Sequence, residues 1–398
     1  MRFPEFTGEW NRYKVSDVLD FYSTNSLSWD QLEYNTDELQ NLHYGLIHVG
    51  LPTAVDLNED VLPNIKKEFL PKNYELCKNG DVAFADASED TNEVAKAIEF
   101  VNLSNRNVVC GLHTIHGRDN HDLTTVGFKG YAFASESFHN QIRRIAQGTK
   151  IFSISSKNFA ECYIGIPSKE EQAKIARLLK LIDERISTQI RIINEIQSLI
   201  SGITQKISKQ SSIRMTMLSE LLEERNEKNA ALFPVHSVSV SEGVVNQIDY
   251  LGRSFAAADT SHYNVAHKGD IIYTKSPTGE FPFGIVKRNA IESNVAVSPL
   301  YGVYKPVTDE VAIYLHYYFC SPLNAQNYLH KLIQKGAKNT INITNQRFIQ
   351  NCIPLPDKTT LEGFVKLTTT VSTKLKLEKS LLEKLQKQKR YLLTQMFV

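Results

Sequence analysis

The chain has 398 residues, enough for two or three domains with separate cores. Its 45 lysines and arginines against 44 acidic residues exclude bulk attraction to a polyanion or a membrane surface, so any nucleic acid would be held by a local patch or with a basic partner's help. Five scattered cysteines without a CxxC pair read as packing thiols in a reducing interior, not disulfides or zinc ligands. No window approaches the roughly 20 apolar residues of a membrane span, and the expectation is a cytoplasmic protein.

From the N-terminus, short β-rich runs at Gly45–Val49, Val82–Ala85 and Asn107–Cys110 are cut by Gly, Asn and Asp, which predicts strands of a compact α/β domain over 1–167. A helix is expected over Ser135–Ala146, before the turn Gly148-Thr149-Lys150. The central stretch 168–212 follows Pro167, and its apolar residues step through Ile175, Leu179, Ile182, Ile186, Ile190, Ile193, Ile196, Ile200, Ile203 and Ile207. The mean step of about 3.6 suits a straight helix or a coiled coil. A second front domain, 213–356, has predicted strands at Phe233–Val238, Asp270–Thr274 and Val295–Val297 and a helix over Val311–Ile333. A last helical stretch, 357–398, carries the frame Phe364, Leu367, Val371, Leu375, Glu378, Leu382, Leu385, Lys389, Leu392 and Met396.

The halves are copies. Gly80-Asp81-Val82-Ala83-Phe84 recurs as Gly269-Asp270-Ile271-Ile272-Tyr273, and Ile164-Gly165-Ile166-Pro167 as Ile353-Pro354-Leu355-Pro356, both 189 residues on. Gly148-Thr149-Lys150 answers to Gly336-Ala337-Lys338 at 188. Two long helices with single apolar stripes need a partner, and in a chain of two similar halves they are expected to pair antiparallel. The fold class is therefore α/β (α+β): two pseudo-repeated globular domains joined by two long antiparallel coiled-coil helices. Ile175, Leu179, Ile182, Ile186, Ile193 and Ile200 are expected to pack with Phe364, Val371, Leu382 and Leu392. Thr53–Asn73 has no counterpart near Val244–Ser261, as two readers of different sequences would require.

Catalytic chemistry finds no support. No GxxxxGK, GxGxxG, GxSxG or Asp-Pro-Pro-Tyr type motif is present, and the acidic group Asp81, Asp86, Glu89 and Asp90 lacks the following Glu-x-Lys strand of a nuclease. His113-Thr114-Ile115-His116 lacks the glutamate and helical setting of a metal site and reads as a strand. The Gly-Asp pairs read as turn residues. Positive charge, however, recurs around both Gly-x-Lys turns: Arg143, Arg144 and Lys150 in one copy, Lys335, Lys338 and Arg347 with Asn339 in the other. These are the candidate DNA-backbone contacts.

The run Ile164-Gly165-Ile166-Pro167-Ser168-Lys169-Glu170-Glu171-Gln172-Ala173-Lys174-Ile175, the opening Arg2-Phe3-Pro4-Glu5-Phe6 with Trp10, and the doubled architecture resemble the specificity subunits of type I restriction-modification systems. The second copy departs from that pattern, with Thr359-Thr360-Leu361-Glu362 where Glu-Gln is expected. The resemblance implies that 1–167 and 213–356 are target recognition domains, each reading half of a split double-stranded DNA site. It implies that the helices space them and dock two methyltransferase subunits, with restriction-motor subunits joining. The chain itself would be non-catalytic and without cofactor or metal, S-adenosylmethionine, ATP and Mg belonging to the partners. Helical rise places the ladder ends about 48 Å apart, beyond one turn of DNA at about 34 Å. The alternatives are a stand-alone two-headed DNA-binding regulator and a fused methyltransferase or nuclease.

Overall fold

The computed structural model describes residues 1–36, 38–210, 213–335 and 341–397, with backbone alone at 334–335 and 341–342. The chain forms two compact units: Met1–Ile190 with Ser380–Val398, and Arg191–Lys379. Each unit therefore holds one front domain, one end of the central helix and the opposite end of the C-terminal helix.

In the first unit a five-stranded sheet runs in the order Asp20–Tyr22, Thr114–Arg118, Val82–Ala85, Ala97–Asn102, Ala54–Asp56, antiparallel except for its last pair. A second sheet is ordered Val108–Cys110, Gln40–Leu42, Asn64–Ile65, Leu32–Glu33. Four buried rings knit the core: Phe84 lies 4.9 Å from Phe133 and 4.6 Å from Phe159, and Phe133 lies 4.9 Å from Phe138. In the second unit the sheet is antiparallel, ordered Leu222–Glu224, Gly302–Pro306, Ile271–Tyr273, Val286–Arg288. Here Tyr273 replaces Phe84 and stacks on Phe348, the counterpart of Phe159, at 4.5 Å. Its buried hydroxyl donates to the Phe283 carbonyl at 2.8 Å, which supplies the hydrogen bond a phenylalanine does not need.

The repeat is visible in the backbone. Asn11–Lys14 pairs antiparallel with Tyr163–Ile166, and Arg214–Met217 pairs the same way with Cys352–Leu355. Each front domain thus enters and leaves on adjacent strands. Gly80 and Gly269 both adopt positive φ, 88° and 92°, where a side chain would be strained. The aspartate after each accepts the N–H of the residue three before it, Lys78 for Asp81 and His267 for Asp270, each at 2.8 Å. Both aspartates are buried and ion-paired, Asp81 to Arg118 and Asp270 to Arg225, so the Gly-Asp pairs are turn locks.

The long helices are Lys169–Ile207 and Lys358–Met396, 39 residues each and about 58 Å by rise. In the first unit Ile175, Leu179 and Ile182 share a core with Leu392, Met396 and Phe397. In the second, Ile203 and Ile207 pack on the core holding Leu361 and Phe364. The two helices therefore pair antiparallel. Their inward positions recur in alternating steps of four and three: 175, 179, 182, 186, 189, 193, 196, 200, 203, 207, and 361, 364, 368, 371, 375, 378, 382, 385, 389, 392, 396. That strict 3.5 period is the coiled-coil seam. Ile186, Val371 and Leu382 are half-buried in it, while Ile193 and Ile200 are buried. Two ladder residues fall outside it. Ile190 is 42 % exposed, with Gln189 in its place, and Leu367 is 46 % exposed, with Thr368 buried and donating to the Phe364 carbonyl at 2.8 Å.

Two local expectations fail. Gly45–Val49 is not a strand: Tyr44–His48 is a helix capped by His43, whose Nδ1 accepts the Gly45 N–H at 3.1 Å. The helix expected over Val311–Ile333 is two, Asp309–Phe319 and Pro322–His330, because Pro322 has no N–H to continue the ladder and Ser321 caps the new start.

The Glu171-Gln172 pair explains why the chain's opening matters. Arg2 clamps the buried Glu171 carboxylate with bonds of 2.6 and 2.5 Å, and Trp10 donates to it at 3.4 Å while its ring meets Phe397 at 5.9 Å. Gln172, fully buried, accepts from the Thr125 amide at 2.7 Å and donates to the Leu123 and Pro167 carbonyls at 3.1 and 3.0 Å. In the second unit Leu361 lies in the core at the matching position, and Thr360 bonds the capping Asp357. Gln172→Ala strands three backbone groups and is expected to lower stability by about 2–4 kcal/mol in urea unfolding. A loss below about 1 kcal/mol would show that the clamp is incidental.

Among the described residues no helix is long and apolar enough to cross a membrane.

Candidate nucleic-acid interface

In the first unit the helix Glu136–Ile145, capped by Ser135, buries Phe138 and Ile142 and leaves its last turn basic. The chain then makes a tight hairpin: the Gln147 and Ser153 amides and carbonyls exchange bonds of 2.9 and 2.8 Å. Gly148 sits at φ 140°, and a Cβ there would fall 1.9 Å from the Ile151 carbonyl oxygen, so only glycine closes this turn. Thr149, Lys150 and Ile151 form an exposed tip.

The second unit repeats the device. Gln334–Lys335 pairs antiparallel with Ile341–Asn342, and its Lys335–Ile341 pair stands 188 residues on from Gln147–Ser153. Lys335 is thus placed by its backbone on the hairpin, while Lys338 and Asn339 lie outside the described residues.

The candidate cations divide by what they touch. Arg144 and Lys150 are exposed on one continuous segment, the last helical turn and the hairpin tip. Arg143 is tied back to Glu136, and to Asn92 at 3.1 Å and Asn140 at 2.6 Å. Arg347, on the short helix Asn345–Phe348, donates Nε to the Leu332 carbonyl at 2.8 Å and braces the hairpin base. Of the candidates whose side chains are described, Arg144 and Lys150 are therefore the exposed pair.

Exposed aromatic side chains were not among the candidates, yet each unit displays them, the second unit on its divergent segment. In the first, Trp29, 45 % exposed, stacks on His43 at 4.3 Å, His43 on Tyr44 at 4.7 Å, and Tyr44 meets His113 edge-on at 5.3 Å. Burial, with His113 nearby, holds the His43 imidazole below its ordinary pKa, in keeping with its role as an acceptor. In the second, Ile248, Tyr250 and Phe255 stand exposed at 58, 49 and 59 %, with Arg253 over the Phe255 ring at 4.5 Å. Flat rings and stacked cations in place of a sealed core suit contact with bases or sugars. The run Tyr250-Leu251-Gly252-Arg253-Ser254-Phe255 carried that signal, since a hydrophobic stretch around a glycine matched neither helix nor strand period.

Three members of the acidic group are engaged elsewhere in the first domain. Asp81 is consumed by Arg118 and His116, Asp86 bonds His113 at 3.1 Å, and Asp90 caps the turn at Asn92.

Comparison with known proteins bears on this arrangement. Residues 100–198 match the family model described as the type I restriction modification DNA specificity domain. No curated protein sequence matches the chain. Among solved structures, the S subunit of a type I restriction-modification system from M. genitalium is similar over 100 % of this chain and 99 % of its own, at 15 % identity and a TM-score of 0.56. A chain from a structure of type I R-M complex assembly and conformational transition is similar over 98 % of this chain and 97 % of its own, at 13 % identity and a TM-score of 0.54. The family match spans the junction of front domain and central helix, and the fold seen in the S-subunit structure runs end to end along this chain.

Proposed function

We propose that the chain is the DNA-reading subunit of a type I complex, with 1–167 and 213–356 each reading one half of a bipartite duplex target and 168–212 with 357–398 fixing the gap. The observation that carries this reading is the contrast within the repeat. Turn locks, hairpins and helix starts recur at 188 or 189 residues, while the exposed rings, Trp29 and Tyr34 in the first domain and Tyr250 and Phe255 in the second, do not recur at matching positions. Arg144 and Lys150, with Lys335, Lys338 and Asn339 in the second domain, would hold phosphates and set register.

Two methyltransferase subunits are proposed to dock on the helices, with restriction-motor subunits completing the assembly. In support, the helix pair of the first unit leaves an apolar groove lined by Leu178, Leu181, Leu381 and Leu385, with Leu181 49 % and Leu381 40 % exposed. The chain contributes no catalysis, and S-adenosylmethionine, ATP and Mg act on the partners.

The test is exchange of the first front domain, 1–167, for that of another specificity chain, followed by genome-wide mapping of methylated adenines in cells that also carry the methyltransferase. One half of the methylated motif is expected to change and the other to persist. A motif that changes in both halves, or in neither, refutes the assignment.

A further inference from the structure

Three residues from separate parts of the first front domain converge in its interior. Cys77 precedes the Gly80-Asp81 turn and donates its amide to the Val108 carbonyl at 2.8 Å. Cys110 ends the strand Val108–Cys110, and His116 lies in the strand Thr114–Arg118. Their relative exposures are 6, 1 and 0 %. The two sulfurs are 3.6 Å apart, and one donor atom from each of the three residues lies within 4.8 Å of the others.

The histidine is set as a ligand would be. Its Nε2 is engaged by Asp81 Oδ2 at 2.7 Å, and Asp81 is itself held by Arg118 at 2.8 Å. Its Nδ1 is buried and has no hydrogen-bond partner among the described residues. Leaving a buried nitrogen unpaired costs about 1–3 kcal/mol, and a fold that fixes one side of an imidazole with a carboxylate has oriented the other side toward something. The spacing of the sulfurs also fits. Two thiolates about 2.3 Å from a tetrahedral zinc stand about 3.8 Å apart, whereas a disulfide needs about 2.05 Å.

The scaffold does not demand this trio. At the matching positions of the second unit stand Ala266, 189 residues after Cys77, and Tyr304, 188 after His116, both buried in a well-packed core. The thiols and imidazole are an addition peculiar to the first domain.

From this geometry we propose that Cys77, Cys110 and His116 bind one thiophilic metal ion of the zinc class, with Asp81 orienting the imidazole. Two thiolates neutralise the dication, and Arg118 is already matched by Asp81 and Glu75. The ion ties the strand of Cys110, in the four-stranded sheet that also contains Leu32–Glu33 and Gln40–Leu42, to the strand of His116 in the five-stranded sheet. It would thus act as a clamp between the two sheets of the first domain, without chemistry of its own.

The test uses the full chain, purified without chelators, and measures bound zinc by elemental analysis. About one zinc per chain is expected, falling below about a tenth in Cys77→Ser or Cys110→Ser and unchanged in Cys162→Ser. Because the serine variants can misfold, wild-type chain stripped of metal is also titrated with Co²⁺ alone. Thiolate-to-cobalt charge-transfer and tetrahedral visible bands saturating at one equivalent support the site. Absence of those bands with two freely alkylated thiols at 77 and 110, or a mass two hydrogens lighter from a Cys77–Cys110 disulfide, overturns it.

Discussion

Glu99→Ala is expected to destabilise the chain by about 3–5 kcal/mol, the largest single-residue effect foreseen. Glu99 is fully buried on the strand Ala97–Asn102 and accepts the Gly127 and Gly130 amides, each at 2.8 Å. Lys129, also buried, stands 3.2 Å away and donates to Thr124 at 2.9 Å. Burial pushes the Glu99 carboxyl above its ordinary pKa, and Lys129 with the two amides pulls the other way. Removing the carboxylate strands a buried ammonium and two amides at once. Replacing the charges together, Glu99→Leu with Lys129→Met, should recover about half of that loss, because desolvation of both ions is relieved with the pair. Urea unfolding of the two single variants and the double variant gives the coupling. A single-variant loss below about 1 kcal/mol would mean that the pair is not closed in solution.

The second large effect concerns the gap between half-sites and rests on the proposed function. The seam of both helices keeps a strict seven-residue repeat, so deleting one heptad from each, 186–192 and 379–385, preserves the inward positions. The lost length is about 10 Å, close to three base pairs. The methylated motif is expected to keep both half-sites and lose about three base pairs of unread spacer. An unchanged spacer would remove the helices from any measuring role. Deleting four residues from only one helix should instead throw the seam out of register and yield unfolded or aggregated chain.

The helices and the repeat were readable because they rest on many residues. Pro167 and Pro356 mark the starts, and ladders of isoleucine and leucine fix the faces. The seam's phase was less legible, because apolar counting cannot see a polar residue that faces inward. Gln189 and Thr368 hold seam positions while neighbouring Ile190 and Leu367 point out. Gly45–Val49 carried β-rich residues, yet a cap from His43 decided for a helix, an interaction between side chain and backbone that no residue average contains. For the candidate interface, composition found the cations but could not tell Arg143, tied to Glu136, from Arg144, which is exposed. The exposed rings depend on what fails to cover Trp29 or Phe255, and the approach of Cys77, Cys110 and His116 depends on sheet pairing between distant segments. Both are tertiary facts.

Each front domain begins and ends on strands that lie side by side, Asn11–Lys14 with Tyr163–Ile166 and Arg214–Met217 with Cys352–Leu355. The entering strands are 203 residues apart and the leaving strands 189, so the first domain carries 14 more residues between the same two anchor points. That surplus never reaches the helices. A domain hung from one doorway behaves as a cassette: it can lengthen or shorten beyond the doorway without any compensating change in the helices to which the doorway leads.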